Sequence, residues 1–171
     1  MTSIELDSNE YDPYFQAYIN RVGMKNIMHL LKESHKSIIS FITSIEVEKL
    51  SYRYAEGKWT VKEIMLHLID TERVFAYRAL CIARKDKIEL SGFDQDIFVA
   101  HSDADNRSID SLLSEYESVR MATISLFESF DQKTLTTVGI ANNSALSVRA
   151  AAYIIVGHEN HHVQVIKERY L

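Results

Sequence analysis

The sequence predicts an all-α protein built as a four-helix bundle, and three observations support this prediction. The chain has 171 residues, the length of one ordinary domain, so we expect a single domain over residues 1–171. It contains one proline and five glycines, which permits long uninterrupted helices. Four segments carry apolar residues at steps of three and four, the period of one helical face, whereas no segment has a convincing strand pattern. Four such helices bury their apolar faces against one another.

The first predicted helix follows a polar N-terminal stretch. Residues up to about Val22 are polar with scattered tyrosines, and we expect them to form an arm packed on the body. After this arm the apolar residues repeat with the helical period. They are Met24, Met28, Leu31, His35, Ile38, Ile42 and Ile45.

The second predicted helix begins at Trp59. Thr60 and Glu63 have the spacing of a capping box, in which each side chain satisfies a free backbone N–H at the helix start. The helix should end near Arg84 or Lys85, because cations suit the negative end of the helix dipole.

A long aperiodic segment separates the second helix from the third. The segment from Lys87 to Arg107 is acidic, and a loop of this length is often a lid or the wall of a site. The third helix should begin near Ser108 and extend to about Phe130. The β-branched residues of 134–140 that follow are too few to predict a sheet.

The fourth predicted helix runs from near Ser147 to the C-terminus, and its apolar face includes two histidines. That face consists of Ala151, Ile155, His158, His162 and Val165.

Charge and cysteine content exclude several classes of protein. The net charge of -5 is a poor match to a polyanion, so we expect neither nucleic acid nor an anionic membrane as a partner. Cys81 is the sole cysteine, so an intramolecular disulfide is impossible and a reducing compartment fits. The N-terminus lacks the pattern of a signal peptide, and no apolar run approaches the roughly 18 residues of a membrane span. We expect a soluble cytoplasmic protein that acts on a small molecule.

Three of the seven histidines form a candidate metal site. His158 and His162 lie one turn apart in the middle of an apolar stripe, so both rings can reach one ion. His67 lies at the edge of the second helix's stripe, and an antiparallel neighbour could bring it to this pair. Three imidazoles with open coordination positions suit Zn²⁺, Ni²⁺ or Fe²⁺. The alternative is a pair of hydrogen-bonded core histidines without a metal.

The other histidines are weaker candidates. His35 lies on the first apolar stripe, where a lone histidine usually belongs to the core or its rim. His29, His101 and His161 are expected in solvent or beside the site.

Two other metal motifs overlap the fourth helix. Residues 158–162 match His-Glu-x-x-His, in which the glutamate is the general base of a zinc protease. The chain ends nine residues after His162, so we expect no third ligand downstream, and no strand pattern predicts a substrate-binding edge. Glu159 and His162 also match one copy of the Glu-x-x-His motif of di-iron bundles, but such a site needs two copies and two more glutamates.

Three segments of the chain resemble those of the DinB-like superfamily. Trp59 to Glu72 (WTVKEIMLHLIDTE) resembles the family's second-helix motif, and Gly157 to Gln164 (GHENHHVQ) resembles its last-helix motif. Gly92 to Asp96 (GFDQD) is similar to a loop in the branch of candidate metal-dependent hydrolases related to bacillithiol transferases.

The resemblance implies a fold, a metal site and a choice of functions. It implies a four-helix bundle of up-down-down-up type, commonly a homodimer, with a divalent metal on His67, His158 and His162. The resemblance also implies a metal-dependent thiol S-transferase or a hydrolase, and the transferase would use a low-molecular-weight thiol as co-substrate. Either activity would use the metal to lower the pKa of a bound thiol or water. Glu159, Asp70 and Glu72 are candidates for supporting or mouth roles, although Glu159 lies off the apolar stripe. The alternative is a non-catalytic metal-binding or stress-response bundle.

Overall fold

The computed structural model describes residues 6–23, 25–86 and 89–171. Met24, which opens the first predicted apolar stripe, and Lys87, which opens the predicted loop, lie outside these residues. The described residues form eight α-helices and one strand pair: α1 (Gln16–Ile19), α2 (Ile27–Thr43), α3 (Val47–Leu50), α4 (Val61–Ala83), α5 (Gln95–Ala100), α6 (Ile109–Glu128), α7 (Gln132–Leu135), β1 (Val138–Ala141), β2 (Ser144–Ser147) and α8 (Val148–Arg169). Two short 3-10 helices cover Pro13–Phe15 and Ala104–Asn106.

The four long helices, α2, α4, α6 and α8, begin at polar caps. The predicted capping box of α4 is present: the Thr60 hydroxyl accepts from the Glu63 N–H at 3.1 Å, and the Thr60 N–H donates to Glu63 Oε2 at 2.8 Å. Ser108 and Ser147 cap α6 and α8, close to the predicted starts. Asn26 caps α2 in the same way. These contacts satisfy backbone N–H groups that a helix start leaves without partners.

The long helices have the predicted up-down-down-up order. Helix α2 packs against α6 and α8, and so does α4. Helices α2 and α4 therefore lie diagonally opposite each other in the bundle. The Tyr153 hydroxyl near the start of α8 donates to the Lys25 carbonyl just before α2. Lys167 near the end of α8 lies over the ring of Phe41 near the end of α2, so these two helices are parallel.

The other two helices run in the opposite direction. Lys32 near the start of α2 pairs with Glu128 at the end of α6, so these two helices are antiparallel. The Tyr170 hydroxyl after α8 donates to the carbonyl of Trp59 before α4, so these two are also antiparallel. This arrangement brings the N-terminal half of α4 beside the C-terminal half of α8.

A two-stranded hairpin lies where the sequence had predicted no sheet. The strands β1 and β2 pair in antiparallel register, and the turn between them is formed by Asn142 and Asn143 with φ of 50° and 61°. Asparagine tolerates this left-handed region, and two such residues fit a type I′ hairpin turn. Tyr11 and Leu90 add single bridges to the hairpin, so it connects the N-terminal arm to the segment before α5.

Two apolar clusters fill the two ends of the bundle. Most buried polar side chains of the long helices fall at or beside the junction of these clusters, whereas Arg78 and Arg149 lie within the first cluster. Those at the junction are Ser34, His67, Thr71, Glu72, Arg120, Thr123, His158 and Glu159.

Candidate metal centre

The structure brings His67, His158 and His162 together. The Nε2 atom of His158 lies 3.0 Å from Nε2 of His67 and 3.1 Å from Nε2 of His162. The three candidate ligand atoms all lie within 4.8 Å of one another. His67 and His158 are buried, and His162 is half-buried. The antiparallel packing of α4 and α8 produces this cluster from one residue of α4 and two residues of α8 one turn apart.

Hydrogen bonding alone does not satisfy this cluster. An imidazole Nε2 carries either one proton or one lone pair, so it can take part in one hydrogen bond. His158 Nε2 nevertheless has two other Nε2 atoms at hydrogen-bonding distance. Nitrogens bound to one tetrahedral zinc ion lie about 3.3 Å apart, close to both separations. The three rings therefore fit a shared divalent cation.

The electrostatics of the cluster favour the neutral, ligating form of each ring. Burial lowers the pKa of His67 to about 4. Burial and the neighbouring imidazoles lower the pKa of His162 to about 3 and that of His158 well below its ordinary value. A neutral imidazole offers a lone pair to a metal, so these rings need not lose a proton first.

Aromatic rings cover the cluster on two sides. The Trp59 ring centre lies 4.8 Å from that of His67, and it stacks on His162 at 6.5 Å. Tyr18 of α1 contacts His158 edge to face at 5.4 Å. Thr71, one turn after His67, places its hydroxyl 3.5 Å from His67 Nδ1. Such contacts hold ring orientations and exclude water.

A cavity of about 370 Å³ adjoins the cluster through His67 and His158. Its size is that of a small-molecule site. The N-terminal arm, the α4 face and the hairpin form most of its wall. Gly92, Phe93 and Gln95 line it too, so part of the predicted loop is a wall of this cavity, as the sequence suggested.

Glu72 and Glu159 lie in a buried ion-pair network. Arg120 Nη2 lies 2.8 Å from Glu72 Oε2 and 2.7 Å from Glu159 Oε2, and the Tyr116 hydroxyl donates to the same Glu159 oxygen at 2.8 Å. The helical wheel placed Glu159 off the apolar stripe, but the side chain is 2% exposed, because nearly the whole circumference of α8 is covered in this part of the helix. The sequence places Tyr116 on the apolar face of the third helix, but it did not predict that Tyr116 or Arg120 takes part in such a network.

Asp70 lies on the side of α4 that faces α6. Its carboxylate accepts from Arg73 at 3.3 Å, and Arg73 also pairs with Glu115 of α6. Burial raises the pKa of Asp70. Supporting roles for Asp70, Glu72 and Glu159 at the metal remain predictions.

The remaining histidines lie outside the three-histidine cluster. His29 and His101 are exposed, and His161 is half-buried beside Tyr18. His35 is half-buried against Tyr116, with its Nε2 3.8 Å from Glu117. In the ranges that the structure describes, the three-histidine group is the one cluster of potential metal ligands.

The fold and the site define a helical bundle in which two buried histidines and one half-buried histidine converge. Residues 30–166 match the DinB superfamily. Because this match covers most of the chain, the protein belongs to the DinB superfamily.

Individual relatives agree with this assignment. OB0413 of Oceanobacillus iheyensis, named as a candidate metal-dependent hydrolase, is 24% identical over 167 residues, covering 94% of this chain and 84% of that protein. Among solved structures, YfiT from Bacillus subtilis superposes with a TM-score of 0.74 at 16% identity, covering 83% of this chain and 82% of its own. YfiT is described as a probable metal-dependent hydrolase with an unusual four-helix bundle topology, and the likeness supports the fold. Within the described ranges, every helix falls short of the length or apolar character needed to cross a membrane.

Proposed function

We propose that this protein is a metal-dependent hydrolase of a small molecule, with one divalent ion held by His67, His158 and His162. The observation behind the proposal is the convergence of three neutral imidazoles at the edge of a cavity. The names of the two relatives, each a candidate or probable metal-dependent hydrolase, point the same way. Zinc, nickel and iron(II) all suit this set of nitrogen ligands.

The number of ligands favours a catalytic ion over a structural one. Structural zinc sites fill four positions with protein ligands, whereas catalytic sites use three and leave one open. The cluster supplies three ligands, and the described residues add no fourth histidine, cysteine or carboxylate to it. A divalent ion in such a site acts as a Lewis acid and lowers the pKa of a water or thiol.

The surrounding residues of the chain have separate tasks in this proposal. His67 and His158 hold the ion beside the cavity, and Thr71 holds the His67 ring in position. Trp59 covers the side of the cluster toward the end of α8, which limits access by water. A substrate therefore reaches the ion from the cavity.

Thiol transfer is a second candidate, and it is favoured because the described lining of the cavity offers few groups that could act as a general base. Asp12 is the one carboxylate among the described residues that line it, and its oxygens already accept from Ser144 Oγ and the Tyr14 N–H. Hydrolysis normally needs a general base to remove a proton from water. A thiol has a pKa near 8.5 in its free form, so a metal alone can make it a thiolate.

An activity screen on metal-loaded protein separates these functions. Zn²⁺- and Ni²⁺-loaded samples are assayed with ester, amide and phosphoester substrates, and with small thiols plus an aryl halide. We expect hydrolysis that is lost in His158→Ala and kept in His29→Ala, an exposed histidine on α2. Conjugation without hydrolysis would support the thiol transferase. Loaded protein that catalyses neither reaction would support the non-catalytic metal-binding alternative.

A further inference from the structure

Arg78 is a buried cation that lines the cavity without a carboxylate partner. Arg78 is 6% exposed, and its Nη2 donates to the Ser91 carbonyl oxygen at 2.7 Å. The guanidinium carbon lies 5.2 Å from the centre of the Phe75 ring. In the described part of the chain, no Asp or Glu oxygen lies within 4.0 Å of its nitrogens. A buried charge without a counter-charge is costly, so it usually has a function.

The other two buried arginines of the described residues are neutralised. Arg120 pairs with Glu72 and Glu159, and Arg149 pairs with Glu10. Burial alone would lower the pKa of Arg120, but the charges of its glutamates raise it well above its ordinary value. Burial lowers the pKa of Arg78, and no acidic residue offsets that effect. Arg78 differs from them because its counter-charge is missing while its side chain borders open space.

Arg78 shares one face of α4 with the metal cluster. His67, Thr71, Phe75 and Arg78 are separated by four, four and three residues, and all four line the same cavity. Eleven residues span about 16 Å along a helix. Helical side chains tilt toward the N-terminus, and the position of the guanidinium over Phe75 agrees with that tilt. The cavity thus joins the histidines to a positive charge less than about 16 Å away.

The rest of the cavity wall suits a small, largely apolar ligand with one negative group. Phe15, Phe93, Leu146 and Ile154 contribute apolar surface. Asp12 is the other charged residue of the lining, and its hydrogen bonds to Ser144 and Tyr14 lower its pKa. A carboxylate beside Arg78 would gain a charge-assisted hydrogen bond. Asp12 repels any anion, but it repels a phosphate dianion about twice as strongly as a carboxylate at the same distance, and one guanidinium neutralises only one of the two phosphate charges.

We propose that Arg78 binds the carboxylate of an anionic small molecule and so orients its other end toward the histidines. The inference deepens the proposed function, on which it rests for the reaction at that other end. The binding of the carboxylate itself does not require the metal.

The test compares 3-phenylpropionate with 3-phenylpropionamide, which have nearly the same shape and differ in charge. Affinities are measured by titration calorimetry on chelator-dialysed protein, so that no ion can bind the carboxylate. Mildly alkaline pH keeps the histidines neutral. We expect the carboxylate to bind about tenfold or more tightly than the amide.

Variants assign this preference to one residue. Arg78→Gln should bind both probes equally, Arg78→Lys should keep part of the preference, and Arg84→Gln should keep all of it. Arg84 is an exposed arginine just after the same helix, outside the cavity lining. Equal affinities in the wild type, or a preference that survives in Arg78→Gln, would overturn the inference. If Arg78→Gln does not fold, Arg78→Lys makes the same assignment, because an undiminished preference in that variant would also overturn the inference.

The two proposals fail separately. Equal binding of the probes, with histidine-dependent hydrolysis intact, would overturn the role of Arg78 alone. A retained carboxylate preference in a protein that binds no metal would overturn the proposed function and leave an anion-binding cavity.

Discussion

At the scale of single residues, Arg120 joins the four long helices. It lies on α6 and pairs with Glu72 of α4 and Glu159 of α8, and it donates to the Leu31 carbonyl oxygen and the Ser34 hydroxyl of α2. The residue is fully buried. Its removal would leave two carboxylates in the interior without their cation, and burial already raises the pKa of Glu159.

We therefore predict that Arg120→Leu destabilises the protein by about 3–5 kcal/mol, the usual result of breaking a buried ion pair by removing one partner. Urea unfolding followed by circular dichroism measures the change. Arg73→Leu is the matched control, because the Arg73 side chain is 47% exposed in its pairs with Asp70 and Glu115. Loss of these exposed pairs should lower the free energy of unfolding by less than about 1 kcal/mol. Equal losses in the two variants would contradict a structural role for the Arg120 network.

The sequence predicted the histidine site better than it predicted this network. The i, i+4 spacing of His158 and His162 on one stripe identifies a possible metal site directly. Arg120 was missed because a charged residue on an amphipathic helix is normally in solvent. A signal was nevertheless present: Arg120 lies four residues after Tyr116 and three before Thr123, which places it on the buried stripe.

At the scale of elements, the N-terminal arm depends on a glycine of α8. A Cβ atom at Gly157 would lie 2.2 Å from the Tyr18 carbonyl oxygen and 2.5 Å from its carbonyl carbon. Both are backbone atoms of α1, which cannot be displaced by rotating a side chain. Glycine at 157 thus lets α1 pack directly on α8 beside His158, where Tyr18 forms part of the cavity wall.

We predict that Gly157→Ala displaces α1. Without the clash, alanine would stabilise α8 by up to about 1 kcal/mol because of its higher helix propensity. The clash and the helix propensity therefore have opposite effects on stability. Hydrogen exchange of the amides of residues 16–19 should accelerate about tenfold or more, corresponding to a loss of about 1.4 kcal/mol in local protection. Gln164→Ala, on the exposed face of α8, should leave this exchange unchanged. Unaltered exchange with raised stability in Gly157→Ala would show that α1 accommodates the methyl group.

Helices were easier to predict than the small elements around them. The capping box set the start of α4, and repeated apolar steps identified all four long helices. The hairpin was missed because each strand has four residues, too few for alternation to stand out. The pair Asn142 and Asn143 was its clearest signal, since both residues tolerate positive φ.

At the scale of the whole molecule, the site lies where buried polar residues interrupt the apolar interior. The helical period predicts how many helices form but not their directions, so the up-down-down-up order came from the family resemblance alone. The order matters for function, because antiparallel α4 and α8 bring His67 to the pair on α8. The single-domain organisation, the homodimer and the cytoplasmic location remain predictions.

The proposed metal centre requires one divalent ion bound by three histidines of this chain. Plasma mass spectrometry measures the metal content of untagged wild-type protein and of His67→Ala, His158→Ala and His162→Ala. We predict about one divalent ion per chain in the wild type and in the His29→Ala control, and its loss in each of the three variants. Wild-type protein that contains no ion and also fails to take up Zn²⁺ or Ni²⁺, or variants that keep their ion, would show that these histidines do not form a metal centre.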